Sequence, residues 1–190
     1  MIDRFQVGKT SVRLAKGDIT EMATDAIVNA ANHSLMGGGG VDGAIHHRGG
    51  PAILEECKKI RATHYPRGLP TGQAVMTGAG KLKAKRVIHT VGPVWSGGNR
   101  GEPELLRQSY MNSLRLAANS GLKTIAFPSI STGAYGYPLE KASLVALKAI
   151  KDFLQIEGGL EEVVFVLFAE NSYSVYGAAA IEVFGCSADN

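Results

Sequence analysis

Short apolar runs alternate with longer amphipathic stretches along this chain of 190 residues. The short runs are rich in Val, Ile, Ala and Phe, and they have the length and composition of buried β-strands. The strands that this pattern predicts span residues 12–14, 26–29, 74–77, 86–91, 124–127 and 163–168. The run at 163–168 is apolar without interruption, which is typical of a central strand that is covered on both faces.

The longer stretches carry apolar residues at helical spacing. Between Ala142 and Phe153 the apolar positions recur at i, i+3, i+4 and i+7, which predicts an amphipathic helix. The other predicted helices lie at 43–47, 51–61, 102–120 and, with Ser172 as N-cap, 172–181. Strands that alternate with helices predict an α/β fold with helices on both faces of a mostly parallel sheet. We expect a single domain over residues 1–184 and a frayed tail at 185–190.

Three polar loops that contain glycine follow predicted strands. They are Gly17-Asp18, the stretch 29–42 with its four consecutive glycines, and the stretch 129–137. Because ligands bind beyond the carboxyl ends of parallel strands, we expect these loops to form one cleft. Glycine-rich loops between a strand and a helix offer free N–H groups and a helix N-terminus to phosphate. The alternative is a flexible connector, although such linkers rarely join a buried strand to an apolar helix.

Composition and charge argue against several classes of protein. Hydrophobic residues make up 45% of the chain and charged residues 19%, as in ordinary globular domains. The net charge is +3 and the basic residues are scattered, which does not favour a nucleic acid partner. Cys57 and Cys186 lack the spacing of metal ligands, and we expect reduced thiols in a cytoplasmic protein. We recognise neither a secretory signal nor a membrane-spanning run.

The loops favour a diphosphate that is held by neutral donors. The sequence lacks the Gly-x-x-x-x-Gly-Lys-Ser/Thr pattern of P-loop proteins and the Gly-x-Gly-x-x-Gly pattern of dinucleotide-binding proteins. Ser131-Thr132-Gly133 offers backbone N–H groups and hydroxyls instead. This set of donors suits the binding of phosphate groups better than their transfer.

Several side chains near these loops have two interpretations. Asp18 is either a turn or N-cap residue, or a ligand group at a strand end. Asp42 is either the N-cap of the following helix, or a group that binds a hydroxyl or accepts a proton from an attacking water. Asn32 carries both a donor and an acceptor, which suits the vicinal hydroxyls of a sugar.

The aromatic residues near the loops also allow alternatives. Tyr135 and Tyr137 lie in a glycine-rich loop, where they are more consistent with flanking a ligand than with a place in the core. Phe168, at a strand end, either stacks on a base or packs into the core. His89 is expected to face the core or the sheet rather than to act in catalysis.

The order of these motifs resembles the macrodomain family, in particular its MacroD-type branch of ADP-ribose-binding hydrolases. The matching blocks lie between Val12 and Tyr176: GDIT (17–20), IVNAAN (27–32), GGGGVDGAIH (37–46), PTG (70–72), HTVGPVW (89–95) and PSISTGAYGYP (128–138). The resemblance implies a three-layer α/β/α sandwich around a six-stranded mixed sheet. It also implies a hydrolase that needs neither a metal nor a cofactor.

The resemblance assigns roles to individual residues. Asn32 would hold the distal ribose, and Asp42 would position or deprotonate water near its anomeric carbon. Asp18 and the Ile19 backbone would bind adenine, and Phe168 would stack on it. Two backbone segments would wrap the diphosphate and the distal ribose, namely Gly38, Gly39, Gly40 and Val41, and Ser131, Thr132, Gly133, Ala134 and Tyr135.

The implied reaction is hydrolysis of the ester that joins ADP-ribose to a Glu or Asp side chain, or to acetate in O-acetyl-ADP-ribose. ADP-ribosylated proteins or O-acetyl-ADP-ribose would be the partners, and we expect a monomer that binds neither membrane nor nucleic acid. The alternatives are a reader that binds ADP-ribose without turnover and a regulator that binds RNA or protein. The sequence departs from many relatives at 47–50, where we expect a looser helix, and at Ala169 near the base.

Overall fold

The computed structural model describes residues 3–185 and shows a mixed sheet of seven strands between two layers of helices. The strands are β1 (Arg4–Val7), β2 (Thr10–Lys16), β3 (Ala26–Ala30), β4 (Ala74–Gly78), β5 (Arg86–Thr90), β6 (Thr124–Phe127) and β7 (Glu162–Leu167). Their order across the sheet is β1-β2-β7-β6-β3-β5-β4. The inner strands run parallel, whereas β1 and β4 pair antiparallel at the two edges.

The predicted three-layer α/β/α sandwich is confirmed, but the prediction of six strands is wrong. The additional strand is β1, which pairs with β2 and exposes Arg4 and Gln6 on one face. A four-residue edge strand with only two buried side chains gives a weak periodic signal. The expectation of a frayed tail falls largely on residues 186–190, which lie outside the described part of the chain, as does Cys186.

The helices are α1 (Gly40–Gly49), α2 (Pro51–Thr63), α3 (Glu102–Asn119), α4 (Leu139–Ile156) and α5 (Glu170–Phe184). A single residue, Gly50, separates α1 from α2. Its φ of 78° lies in the left-handed region that glycine adopts without strain, and Pro51 then begins the next helix. The prediction that Ser172 caps the last helix is wrong, because α5 begins at Glu170 and its N-cap is Ala169.

Alternate residues of the strands face two separate hydrophobic cores. On one face, α3, α4 and α5 cover a cluster that contains Tyr110, Phe127, Phe165 and Tyr176. On the other face, α1 and α2 cover a cluster of mostly aliphatic side chains: Ile27, Ile45, Ile53, Cys57 and Val87. Burial of both strand faces explains why the inner strands read as continuous apolar runs.

The inner strands β2, β3, β6 and β7 are parallel neighbours, so their carboxyl ends lie side by side at one end of the sheet. The loops that follow these carboxyl ends carry the polar motifs of the sequence. Among residues 3–185, no helix has the length and apolarity needed to cross a membrane.

Candidate functional site

A cleft of about 570 Å³ opens at the carboxyl ends of the parallel strands. Its walls come from residues 30–32 and 38–42, from residues 128–135, and from residues 166–169, with Gly92 and Ser172 between them. Two of the three loops expected to form one cleft, 29–42 and 129–137, do converge on this cavity. The third, Gly17-Asp18, does not line it, and the end of β7 forms the remaining wall instead. All the predicted site residues except Asp18 and Ile19 line it.

Two segments present backbone N–H groups to the cleft. Gly38 to Val41 form the N-terminus of α1, and Ser131 to Tyr135 follow β6. Within residues 3–185, these N–H groups have no protein acceptor. Unpaired N–H groups and the positive end of the helix dipole favour an anion at this position.

The second segment is held from behind by the aromatic core. Ile130 donates its N–H to the Tyr110 hydroxyl at 3.1 Å, and the Tyr176 hydroxyl donates to Ser129 Oγ at 2.9 Å. Ser131 has a φ of 67°, and its buried Oγ finds no partner in the described residues. A strained residue with a buried unpaired hydroxyl suggests a segment built for a ligand.

The two tyrosines of this segment have different positions. Tyr135 lines the cleft, and its carbonyl accepts the N–H of Trp95 at 2.9 Å. Tyr137 is buried, and its ring centroid lies 4.6 Å from that of Trp95. The prediction that Tyr137 flanks a ligand is therefore wrong, because its side chain points into the core.

Asp42 lies in the first turn of α1, and the N-cap of this helix is Gly39. The N-cap interpretation of Asp42 is thus wrong, and its carboxylate is left for other contacts. Oδ1 accepts a hydrogen bond of 2.8 Å from Asn29 Nδ2, whereas Oδ2 has no partner among the described residues. Burial raises the pKa of the Asp42 carboxyl, against smaller opposing effects of Asn29 and His46. His46 Nε2 lies 3.4 Å from Oδ1.

Gly38 brings the glycine run against both predicted catalytic residues. A Cβ at this position would lie 3.2 Å from Asp42 Oδ2 and 3.3 Å from Asn32 Nδ2. These distances are tighter than ordinary van der Waals contact, so a side chain at Gly38 would displace one of the two polar groups. The glycine here lets the backbone approach the two side chains.

Asn32 is partly engaged by its own loop. Its Oδ1 accepts hydrogen bonds from the N–H and the hydroxyl of Ser34, and its Nδ2 donates to the Gly37 carbonyl at 3.1 Å. Because an amide nitrogen carries two hydrogens, one N–H of Asn32 remains for a ligand.

The far end of the cleft carries an exposed aromatic ring. Phe168 follows β7 and is 81% exposed, so it does not pack into the core. Asp18 caps a short 3₁₀ turn, Ile19–Glu21, through hydrogen bonds from the N–H and the hydroxyl of Thr20, which hold the pKa of its carboxyl below the usual range. The neighbouring Gly17 donates to the Leu167 carbonyl at 3.0 Å, which places Asp18 beside the cleft rather than in its lining.

Behind Asp42 lies a buried cluster of three polar side chains that could not be identified from the sequence. Asn29, His89 and Thr77 are all buried and hydrogen-bonded in a row. One signal was available, since an Asn within a strand that is otherwise apolar needs partners for its amide. One of those partners, His89, lies 60 residues further along the chain, a distance that no local pattern reveals.

His46, Cys57 and His89 offer three ligand atoms within 4.8 Å of one another, which is a spacing that a metal ion could bridge. Both ring nitrogens of His89 already have side-chain partners, Asn29 and Thr77. Burial raises the pKa of the Cys57 thiol to about 12, so the thiolate that binds metals is scarce at neutral pH. Hydrogen bonding therefore accounts for His89, and Cys57 is a poor metal ligand in its thiol form.

Comparisons with known proteins agree with this geometry. The macro domain family model matches residues 28–146. A macro domain-containing protein of Caldanaerobacter subterraneus is 57% identical over 92% of this chain and 98% of its own length. The O-acetyl-ADP-ribose deacetylase of Escherichia coli is 51% identical over 88% of this chain and 94% of its own. The structure of an Oceanobacillus iheyensis macrodomain mutant with ADPR has a TM-score of 0.91 at 43% identity, covering 94% of this chain and 96% of that one.

Proposed function

Since this chain belongs to the macrodomain family, we propose that its cleft binds ADP-ribose and hydrolyses esters of it. The substrates are O-acetyl-ADP-ribose and proteins that carry mono-ADP-ribose on Glu or Asp. The observation that carries the proposal is the free Oδ2 of Asp42, which lies at the glycine turn between two segments rich in N–H groups. A carboxylate in this place serves a reaction beside a bound diphosphate.

The ligand would extend along the cleft from Phe168 to Asp42. Adenine would stack on the exposed Phe168 ring, with Asp18 accepting a hydrogen bond from the amino group of the base. The N–H groups of Gly38 to Val41 and of Ser131 to Tyr135 would bind the two phosphates from opposite walls. The free N–H of Asn32 would then reach a hydroxyl of the distal ribose.

In the proposed reaction, Asp42 acts as a general base. A water molecule donates a proton to Asp42 Oδ2 while its oxygen forms a bond to the carbonyl carbon of the ester. The bond between this carbon and the ribose oxygen then breaks, and the proton held by Asp42 passes to the ribose oxygen, which gives ADP-ribose and the free carboxylic acid. Burial favours this role, because a raised pKa makes the Asp42 carboxylate a stronger base than an exposed one.

A reader that binds ADP-ribose without turnover is the second candidate. It needs the N–H groups of the two loops but has no use for a buried carboxylate with an unpaired oxygen. A regulator that binds RNA would show a steep dependence on salt, with roughly one unit of log–log slope for each phosphate neutralised. The net charge of +3 gives this third candidate little support.

The experiment measures release of ADP-ribose from O-acetyl-ADP-ribose and from a protein modified on Glu. We expect turnover by the unmodified chain and a loss of about 100- to 10,000-fold in Asp42→Ala, the range typical of a lost general base. Asn32→Ala should slow release with little change in ADP-ribose affinity. Asp152→Ala serves as the control, since Asp152 pairs with Arg107 outside the cleft. Binding without turnover in the unmodified chain would favour the reader.

A further inference from the structure

A buried chain of hydrogen bonds ends on the Asp42 carboxylate. Asn29 Nδ2 donates to Asp42 Oδ1 at 2.8 Å and lies 3.1 Å from His89 Nδ1. On the far side of the imidazole, His89 Nε2 lies 2.9 Å from Thr77 Oγ1. The side chains of Asn29, His89 and Thr77 are almost completely shielded from solvent, so no water competes for these bonds.

The donor and acceptor of each hydrogen bond follow from the Thr77 hydroxyl, which is the last group of the series. The Thr77 hydroxyl lies 2.8 Å from the Gly78 carbonyl, an acceptor for its one proton, which leaves the hydroxyl oxygen to accept from the imidazole. His89 must then carry its proton on Nε2, which leaves the Nδ1 lone pair to accept from Asn29. Burial, with a smaller contribution from His46, lowers the pKa of His89 to about 3, so the ring is neutral at physiological pH.

These bonds also fix the orientation of the Asn29 amide. Nδ2 uses its two hydrogens on two acceptors, Asp42 Oδ1 and His89 Nδ1. A flipped amide would place Oδ1 against the carboxylate and the imidazole lone pair, which is repulsive on both sides. The same orientation leaves Asn29 Oδ1 buried without a partner in residues 3–185. A buried unpaired carbonyl is unfavourable and calls for a functional explanation.

The sheet fixes the spacing of these three hydrogen-bonded side chains. Asn29 and His89 are directly paired residues of the parallel strands β3 and β5, and their side chains point to the face that α1 covers. Thr77 belongs to β4, the antiparallel neighbour of β5. Because three adjacent strands carry the three side chains, the backbone holds them at hydrogen-bonding distance, and a change in one of them reaches Asp42 through these bonds.

We propose that Asn29, His89 and Thr77 are positioning residues, which tie down Asp42 Oδ1 so that Oδ2 faces the cleft. The inference rests on the proposed hydrolysis, in which Oδ2 receives the proton of water. Thr77 selects the tautomer of His89, His89 orients the amide of Asn29, and Asn29 holds the carboxylate. None of the three lines the cleft, so their effect on the reaction passes through Asp42.

The tautomer of His89 can be measured without any substrate. In ¹⁵N NMR spectra of the side-chain nitrogens, we expect His89 to show a protonated Nε2 and an unprotonated Nδ1 near pH 7. In Thr77→Val, which removes the acceptor, a population with protonated Nδ1 should appear. A protonated Nδ1 in the unmodified chain, or an unchanged tautomer in Thr77→Val, would overturn the proposed chain of bonds.

Kinetics of two variants at position 89 test the consequence for catalysis. His89→Leu removes the acceptor for Asn29, and we expect kcat for O-acetyl-ADP-ribose to fall about 10- to 100-fold, as misplaced catalytic groups typically cause. His89→Asn places an amide oxygen where Nδ1 lies, and kcat should return to within about threefold of the unmodified chain. The dissociation constant for ADP-ribose should stay the same in both variants.

Equal losses of kcat in both variants, or a loss of ADP-ribose affinity together with kcat, would show a merely structural role and overturn the inference. Failure of the proposed function is a separate result, since it means that the unmodified chain itself has no turnover. Circular dichroism of each variant establishes that it is folded, and the NMR measurement remains decisive if His89→Leu does not fold.

Discussion

The two oxygens of the Asp42 carboxylate have different surroundings. Oδ1 is hydrogen-bonded to Asn29, and Oδ2 lies unpaired beside Gly38. One oxygen thus keeps the orientation while the other is free to act on a ligand. Burial raises the pKa of this carboxyl, which means that the folded state prefers the protonated form more than the unfolded chain does.

A stability prediction for Asp42→Asn follows from this shift. A raised pKa contributes stability that is fully present below the unfolded pKa of about 3.9 and is lost as pH rises through the folded value. At pH 7 the ionised side chain therefore lowers stability, and a neutral amide keeps the acceptor for Asn29. We expect Tm of Asp42→Asn to equal or exceed that of the unmodified chain at pH 7. A Tm that is several degrees lower would contradict the account of burial.

At this scale, the sequence revealed the residues that stand in contiguous motifs. Asn32 and Asp42 flank the glycine run, and the structure places both at Gly38. His89 was expected to face the core or the sheet, and it is buried there. Its bond to Asn29 could not be predicted, because it depends on the register of β3 against β5.

At the scale of elements, the conformation of the loop after β6 depends on Gly92, which packs against it. A Cβ on Gly92 would lie 2.2 Å from Ser131 Oγ and 2.5 Å from Ile130 Cγ2. Such distances are impossible without movement of the loop that offers its N–H groups to the cleft. The loop is therefore shaped by the close approach of the segment after β5.

We accordingly expect Gly92→Ala to lower the free energy of unfolding by about 1–3 kcal/mol, the usual effect of overpacking, and to weaken ADP-ribose binding. Gly17→Ala is the matched control, because a Cβ at Gly17 meets no atom within 4 Å. Urea unfolding and calorimetric titration provide the two measurements. Equal stability and affinity in Gly92→Ala and in the unmodified chain would show that the loop adapts without cost.

The segment before α3 is anchored by one carboxylate. Glu102 accepts the N–H groups of Ser96, Gly98 and Arg100 at 2.6 to 3.0 Å. Burial would raise the pKa of the Glu102 carboxyl, but these three N–H groups and the backbone N–H of Glu102 itself outweigh it and lower the pKa to about 2. Trp95, which precedes them, donates its N–H to the Tyr135 carbonyl, so this anchor also supports the cleft wall.

For Glu102 the depressed pKa means that the anchor is fully effective above the unfolded pKa of about 4.3 and is lost as pH falls through about 2. We expect the side-chain carboxyl of Glu102 to titrate near pH 2 in NMR spectra. Glu102→Gln should speed hydrogen exchange of the amides at 96–100. A titration midpoint near 4.3 would contradict the anchoring.

Element boundaries were predictable where burial is continuous. The strand predicted at 124–127 has the bounds of β6, since Pro128 ends the buried apolar run that follows Thr124. Elements that depend on their neighbours were harder to place. The strand β1 forms only by pairing with β2, and α5 begins at Glu170, before the polar residue that has the better capping side chain.

For the whole molecule, the sheet separates an aromatic core from an aliphatic one, and the cleft receives residues from both sides. The segment 128–135 is supported by Tyr110 and Tyr176 of the aromatic core, whereas α1 rests on the aliphatic core. A ligand that contacts both walls of the cleft should therefore stabilise both halves of the molecule together.

A series of ligands tests this bridging. In the proposed complex ADP-ribose contacts both N–H segments and Asn32, whereas ADP lacks the distal ribose and AMP lacks the second phosphate as well. We expect affinity to decrease in that order, and ADP-ribose at about 100 times its dissociation constant should add about 2.7 kcal/mol of stability. Thermal unfolding at a range of ligand concentrations gives each value. Equal shifts with AMP and ADP-ribose would mean that only the adenosine end is bound.

The most direct test of the account compares turnover with binding in Asp42→Asn. This variant keeps the size of the side chain and the acceptor for Asn29, and it removes only the basic oxygen. We expect kcat for O-acetyl-ADP-ribose to fall by at least about 100-fold, with the dissociation constant for ADP-ribose within about threefold of the unmodified chain. Undiminished turnover in Asp42→Asn would contradict the role of this carboxylate, and the proposed mechanism would fall with it.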